Sequence, residues 1–171
     1  MNAIEAEPVS AGRLILIPLR AEHASEMAEV LAAPGLYTFT GGSPPAPQAL
    51  RARYERMIAG SSDPAVSWCN WVIRLGDEGC LTGTVQATIS IHDGPLAEVA
   101  WVVGLPWQGR GIATEAARAL ISWLGQRSVQ TVIAHIHPRH QASAAVAAAA
   151  GLTPTGHWQD GEVRWSLTMK P

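Results

Sequence analysis

The amino-acid sequence predicts an α/β domain built on one mixed, mostly antiparallel sheet flanked by four helices. Three observations carry that expectation. Apolar residues alternate with period two over 69–75, 82–91 and 97–103, the pattern of strands buried on one face. Ile112, Ala116, Leu120 and Leu124 instead recur at helical spacing. That helix lies between strand-like runs at 97–103 and 131–137, a βαβ unit whose two strands should run parallel.

The elements follow in order. "RLILIPL" (13–19) is a β-rich apolar run, and residues 21–32 are helix formers stopped by Pro34 and Gly35. "TGGSPPAP" (40–47) reads as a loop, followed by a second helix over about 48–58. Cys69, Trp71, Ile73 and Leu75 alternate with Asn70, Val72 and Arg74, so the first set should face the core. Residues 76–79 turn the chain. The next strand, 82–91, puts Val85, Ala87 and Ile89 on one side, and "HDGP" (92–95) turns into a third strand at 97–103. These three should form an antiparallel meander. The central helix is ended by Gly125 and followed by a strand at 131–137 and an Ala-rich helix over about 141–150 that stops at Gly151. Strands near 152–158 and 163–169 close the order around "QDG", a hairpin-type turn. No internal repeat is visible.

A chain of 171 residues suits one domain, taken as 1–171 with its core over about 13–169. Hydrophobic residues make up 47% and charged ones 15%, which excludes a disordered or fibrous chain. No run approaches the roughly 18–20 apolar residues of a membrane span, so no membrane partner is expected. The opening "MNAIEAEPVS" has neither the basic region nor the apolar core of a secretory signal, so a cytoplasmic protein is expected. Cys69 and Cys80 lack metal-like spacing and read as reduced thiols. A net charge of −2 gives no support for nucleic-acid binding, so any anion site must be local.

Such a site is suggested by "WQGRGIATEA" (107–116). Gln108, Gly109, Arg110, Gly111, Ile112 and Ala113 run straight into a helix, offering successive unpaired backbone N–H groups to a phosphate. Glycine lets the backbone approach closely, the helix dipole adds about 0.3–1 kcal/mol, and Arg110 brings a mobile positive charge. The segment has neither the Gly-Lys-Ser/Thr ending of a P-loop nor a G-x-G-x-x-G followed by an acidic residue about 20 positions on. A plain β-to-α turn, with glycines for geometry alone, is the other reading.

Gln108-x-x-Gly111-x-Ala113 resembles the Q/R-x-x-G-x-G/A signature of the GNAT superfamily of acetyl-CoA-dependent N-acetyltransferases. The element order matches that fold from about Leu14 to Met169. The segment "TFTGGSPPAPQALRARY" and the block "AEVAW…WQGRGIATEA" resemble the branch that includes ribosomal-protein N-terminal acetyltransferases and many small-molecule acetyltransferases. The resemblance implies that Gln108 to Ala113, with Thr114, hold the pyrophosphate of coenzyme A, acetyl-CoA being the cosubstrate and no metal being needed. It implies that the preceding strand, Trp101, Val102 and Val103, pairs its backbone with the pantetheine amides. It also implies that the two parallel strands, fourth and fifth in the predicted order, splay apart there. Pro106, which cannot donate to a ladder, agrees with pairing that ends nearby.

Acetyl transfer needs a neutral amine, donors for the developing oxyanion and a proton for the leaving thiolate. No covalent enzyme intermediate is required. Glu98 sits inside the apolar strand "AEVAWVV", where a carboxylate is out of place, and its position matches a glutamate that serves as general base in some GNAT members. A solvent-facing carboxylate is the alternative. "HPRHQASAAVAAAAGL" resembles the family's P-x-N-x-x-S-x7-G pattern, which makes Ser143 the acid near the cofactor sulfur. His140 stands where Asn is usual, so the cofactor contact of that Asn passes to an imidazole able to donate a similar hydrogen bond. Ser143 as a locally satisfied helix residue is the bland alternative. His135 and His137, two apart on a strand, read as cleft-lining residues, one of them an alternative base, or as ordinary packing; a metal site lacks further ligands. Of seven tryptophans, Trp71, Trp101 and Trp158, with Tyr37 and Phe39, are candidates for the acceptor cleft.

The absence of an acidic or basic run favours a small-molecule or peptide amine as acceptor and leaves room for a homodimer. A non-catalytic acyl-CoA-binding or regulatory domain is the second functional reading.

Overall fold

The structure, a computed structural model, describes residues 3–170. Its strands are β1 (Val9–Ala11), β2 (Leu14–Pro18), β3 (Val66–Leu75), β4 (Leu81–Ser90), β5 (Leu96–Val103), β6 (Thr131–Ile136), β7 (Thr153–Gln159) and β8 (Glu162–Thr168). Its helices are α1 (Ala24–Val30), α2 (Pro47–Ala59), α3 (Ile112–Gly125) and α4 (Gln141–Ala149). The strands form one sheet in the order β1-β2-β3-β4-β5-β6-β8-β7. Every neighbouring pair is antiparallel except β5 and β6, the pair that brackets α3. The meander β3–β4–β5 and the parallel βαβ unit are therefore as the periodicity predicts.

Both faces of the sheet are covered. On one, Leu14, Leu16, Cys69, Trp71, Ile73, Val85, Ala87 and Val99 pack against Ile112, Ala116, Leu120 and Leu124 of α3, which are all but inaccessible. Truncating a leucine in such a seam costs about 2–5 kcal/mol. On the other face α1 and α2 bring Met27, Val30, Leu50 and Tyr54 onto Val72 and Leu81. That layer corrects one expectation: Val72, assigned to the polar side of its strand, is fully buried because α1 and α2 cover it. Period two identifies the face turned to α3 and is blind to a second cover.

Other differences are local. β1 is an addition; three residues, Val-Ser-Ala, are too short for a periodic signal. The segment before it is tied down by Ile4 N–H donating to Ser67 Oγ (2.9 Å) and Trp71 Nε1–H donating to the Glu7 carbonyl (2.7 Å). The helix expected over 21–32 is a 3-10 turn, Ala21–His23, leading into α1, with His23 Nδ1 accepting from Arg20 N–H at 3.0 Å. α2 begins one residue early, at Pro47, whose missing N–H costs nothing at the first helical position. The "QDG" hairpin holds Asp160 and Gly161 both at positive φ, 52° and 80°, as a type I′ turn needs. Cys69 is a buried free thiol pushed up to about 11 by desolvation, and Cys80 is free and partly exposed.

Candidate functional site

The parallel pair parts almost as soon as it forms. β5 and β6 are in register only over Leu96↔Thr131, Ala97↔Val132 and Glu98↔Ile133. From Val99 to Val103, β5 keeps β4 on one edge and has no strand on the other, while β6 continues against β8 through Ile136. The gap opens into a cleft of about 1000 Å³ lined by Val99–Val103, Ala134–His137, the loop before α3, the start of α4 and, across the sheet, α2 and the loop that precedes it. This is the splay expected between the fourth and fifth predicted strands. On the paired edge of β5, Gly83 of β4 stands opposite Val103 and lets the two strands approach closely: a Cβ there would meet the Val102 carbonyl oxygen at 2.1 Å.

Beyond β5 the chain makes a 3-10 turn, Leu105–Trp107, and the Gln108 side chain turns back to donate from Nε2 to the Val103 carbonyl at 3.0 Å. Gly109 and Gly111 then take φ of +76° and +78°, a left-handed backbone that side chains disfavour. Gly111 is the N-cap of α3 and has no side chain to cap it. Among the described residues no backbone N–H from Gly109 through Thr114 has an acceptor. This run of free donors at the positive end of a 14-residue helix fits a pyrophosphate.

Arg110 departs from expectation. Its Nη2 lies 3.2 Å from Glu78 Oε1, and its carbonyl accepts from Arg13 Nη2; Arg13 in turn binds Glu115 Oε2 at 2.9 Å. The arginine predicted to bring a mobile charge is thus held away by a carboxylate far off in sequence, and it does not line the cleft. The pair Arg13 and Glu115 braces the loop from beneath, a role no local pattern announces.

Across the gap, His140 is the N-cap of α4: its Nδ1 accepts from Ser143 N–H at 3.3 Å. An Nδ1 that accepts has no hydrogen, so the neutral ring carries its proton on Nε2, which faces Ser143 Oγ at 3.2 Å. Nε2–H therefore donates to the hydroxyl oxygen and leaves the hydroxyl's own hydrogen free for another acceptor. Desolvation, aided by the neighbouring His137, holds His140 below the usual histidine value and so favours this neutral form. Phe39, from the loop before α2, stacks on His140 with centroids 4.6 Å apart and tilts against His137 at 5.0 Å. His140 and Ser143 both line the cleft.

Glu98 lies on the last paired residue of β5, at the closed end of the split. It is half exposed and does not itself line the cleft; His135, nearly buried, does. His135 Nδ1 stands 3.2 Å from Glu98 Oε1, and Arg164 Nε donates to its Nε2 at 3.2 Å. The carboxylate and the guanidinium together select the Nδ1–H tautomer. With both nitrogens engaged, His135 is a hydrogen-bonded relay between β5, β6 and β8. His137 Nδ1 accepts from Arg139 N–H at 3.1 Å. Arg164 was missed because its partner is 29 residues away in sequence.

The aromatic expectations divide. Tyr37, Phe39 and Trp101 line the cleft, and Tyr37 is fixed by its hydroxyl donating to the Leu31 carbonyl at 3.0 Å. Trp71 contributes to the lining, yet it is fully buried, edge-on to Trp123 at 5.0 Å, and is chiefly core. Trp158 is wrong: it is 61% exposed on β7, outside the cleft, because the outer strand leaves that face uncovered. Trp107, not proposed, lines the cleft from the 3-10 turn.

An open strand edge that leads into a cradle of helix N-terminal amides can take an extended ligand with an anionic end. A family model described as the acetyltransferase (GNAT) domain matches residues 13–153, and the chain belongs to that family of N-acetyltransferases. Solved structures share the fold at low identity. A GNAT-family acetyltransferase from Bacillus anthracis is 16% identical with a TM-score of 0.81, over 95% of this chain and 98% of that one. The ribosomal-protein-S5-alanine acetyltransferase from Vibrio fischeri is 17% identical with a TM-score of 0.79, over 95% and 96%. An aminoglycoside acetyltransferase solved with coenzyme A is 17% identical with a TM-score of 0.74, over 91% and 94%. The likeness to ribosomal-protein acetyltransferases thus holds at the level of fold. No curated protein sequence matches the chain. Among the described residues no helix is long and apolar enough to cross a membrane.

Proposed function

We propose that this protein transfers the acetyl group of acetyl-CoA to the primary amine of a small molecule, amino acid or peptide N-terminus, by direct attack on the thioester in a ternary complex. The observation that carries the reading is the run of free N–H groups from Gly109 to Thr114, continuous with the unpaired edge of β5 and sharing one cleft with Ser143. Gln108 to Thr114 hold the pyrophosphate, and Trp101, Val102 and Val103 offer main-chain partners to the pantetheine amides. This role for Gln108 is indirect: its side chain fixes the end of β5, and its main chain opens the loop.

The chemistry then falls to groups of this chain. The amine forms a C–N bond to the thioester carbon, a backbone N–H on the free edge of β5 steadies the oxyanion, and the C–S bond breaks. Ser143 gives its hydroxyl proton to the departing sulfur, supported by His140 Nε2–H on its oxygen, and regains one from the nitrogen that has attacked, which leaves a neutral amide and a free thiol. The proton of the acceptor ammonium leaves through water to Glu98, the general base, whose carboxylate is oriented by His135 Nδ1–H. The test is thiol release from acetyl-CoA across a panel of small amines, amino acids and peptides. Turnover on a subset supports the reading; tight binding of acetyl-CoA with no thiol release on any amine would instead favour a non-catalytic acyl-CoA-binding domain.

A further inference from the structure

We infer that the acceptor is a small amine that also carries a carboxylate, bound with that carboxylate against Arg53 on the α2 wall of the cleft. The inference rests on the acetyltransferase reading and narrows it. Leu50, Arg53, Tyr54 and Met57 stand at i, i+3, i+4 and i+7 on α2, one face of the helix, and all four line the cleft. Leu50 and Tyr54 of this stripe are buried, and Arg53 is its exposed member, at the rim of the cleft. Arg53 has no carboxylate or hydrogen-bond partner among the described residues, although Arg51, two positions earlier, pairs with Glu55 at 3.4 Å. Arg56, the third arginine of α2, is likewise without a partner among the described residues, and of the three only Arg53 lines the cleft.

The charges around the cleft agree. Histidines aside, its lining holds one cation, Arg53, and one anion, Glu162. They stand on different walls, α2 and β8, and Glu162 is half-buried and likewise without a partner among the described residues. Next to Arg53, Tyr54 is 3% exposed and its hydroxyl has no hydrogen-bond partner. Burial pushes that phenol up to about 12, with the Arg53 charge pulling the other way, so it stays protonated and remains a donor beside the guanidinium. On the sheet floor between the walls, Asn70 and Gln86 face each other in register across β3 and β4 and line the same space. A guanidinium fork binds a carboxylate bidentately, and an opposing carboxylate attracts an ammonium. A molecule with both charges satisfies both walls; a polycationic amine sets a like charge against Arg53.

The test is thiol-release kinetics at saturating acetyl-CoA with matched acceptors: a set of amino acids, their methyl esters, their amides and the corresponding decarboxylated amines. Each is run with the full-length protein, R53Q and R53K. The wild type should prefer the free acids by about tenfold or more in kcat/KM, as the loss of a charge-assisted hydrogen bond implies. R53Q should level the set through KM rather than kcat, and R53K should fall between; the ratio between proteins cancels differences in amine basicity. Coenzyme A affinity should not change, which shows that the variants fold. Equal use of acids and esters by the wild type, or an undiminished preference in R53Q, would overturn the inference while acetyl transfer stands. No thiol release with any amine would overturn the acetyltransferase reading and this one with it.

Discussion

The two walls of the cleft are built by different means. The wall proposed for the cofactor is made of backbone: the unpaired edge of β5 and the free amides from Gly109 to Thr114. The wall proposed for the acceptor is made of side chains gathered from α2, β3, β4, β6 and β8. A backbone cradle tolerates almost any residue that allows its dihedral angles, whereas a side-chain wall changes its ligand with each substitution.

Breaking the cradle should have the largest effect. Gly111→Val places a β-branched residue at φ +78°, with its Cβ 3.7 Å from the Arg13 nitrogen that holds the Arg110 carbonyl. The left-handed strain alone is about 1–2 kcal/mol, so calorimetric coenzyme A affinity should fall by tenfold or more, roughly the factor such an energy implies. Across the gap on α4, Ser143→Ala should leave that affinity intact and lower kcat by about a hundredfold, the scale of one general acid. His140→Asn, which can still cap α4 and donate to the hydroxyl, should keep most of the rate that His140→Ala loses. Glu98→Gln should also preserve acetyl-CoA binding and lose rate, most severely below the pKa of the acceptor amine. Turnover unchanged over about pH 6–9 would remove Glu98 from the mechanism.

Smaller effects sharpen the same contrast. Because His140 sits below its ordinary value of 6.5 when folded, the unfolded chain takes up that proton first as pH falls. Its contribution to stability is therefore complete above pH 6.5 and drains away on acidification below it, visible as a fall in Tm that His140→Asn lacks. Arg110→Ala should be the mildest change, within about threefold in coenzyme A affinity, since it removes an exposed ion pair with Glu78 rather than a phosphate ligand.

Legibility in the sequence follows the same division. Gly109 and Gly111 could be read because a backbone site demands particular residues at fixed spacing. The meander, the parallel pair and α3 could be read because periodicity reports local geometry. Ser143 and His140 were accessible through a contiguous pattern, although the use of both ring nitrogens on one serine needed coordinates. Arg164 with His135, Glu78 with Arg110 and Arg13 with Glu115 were invisible, because each joins segments between 29 and 102 residues apart. Val72 and Trp158 went wrong for one shared reason: how much of a strand's second face is covered depends on packing that no single strand encodes.

The central claim is that the amides from Gly109 to Thr114 receive the pyrophosphate of coenzyme A. Backbone amide NMR during titration of the isotope-labelled protein with coenzyme A tests it directly. These six resonances should shift together and gain protection from exchange at the same half-saturation as the β5 edge from Val99 to Val103. Saturable binding that leaves the loop amides unmoved while another surface responds would contradict it.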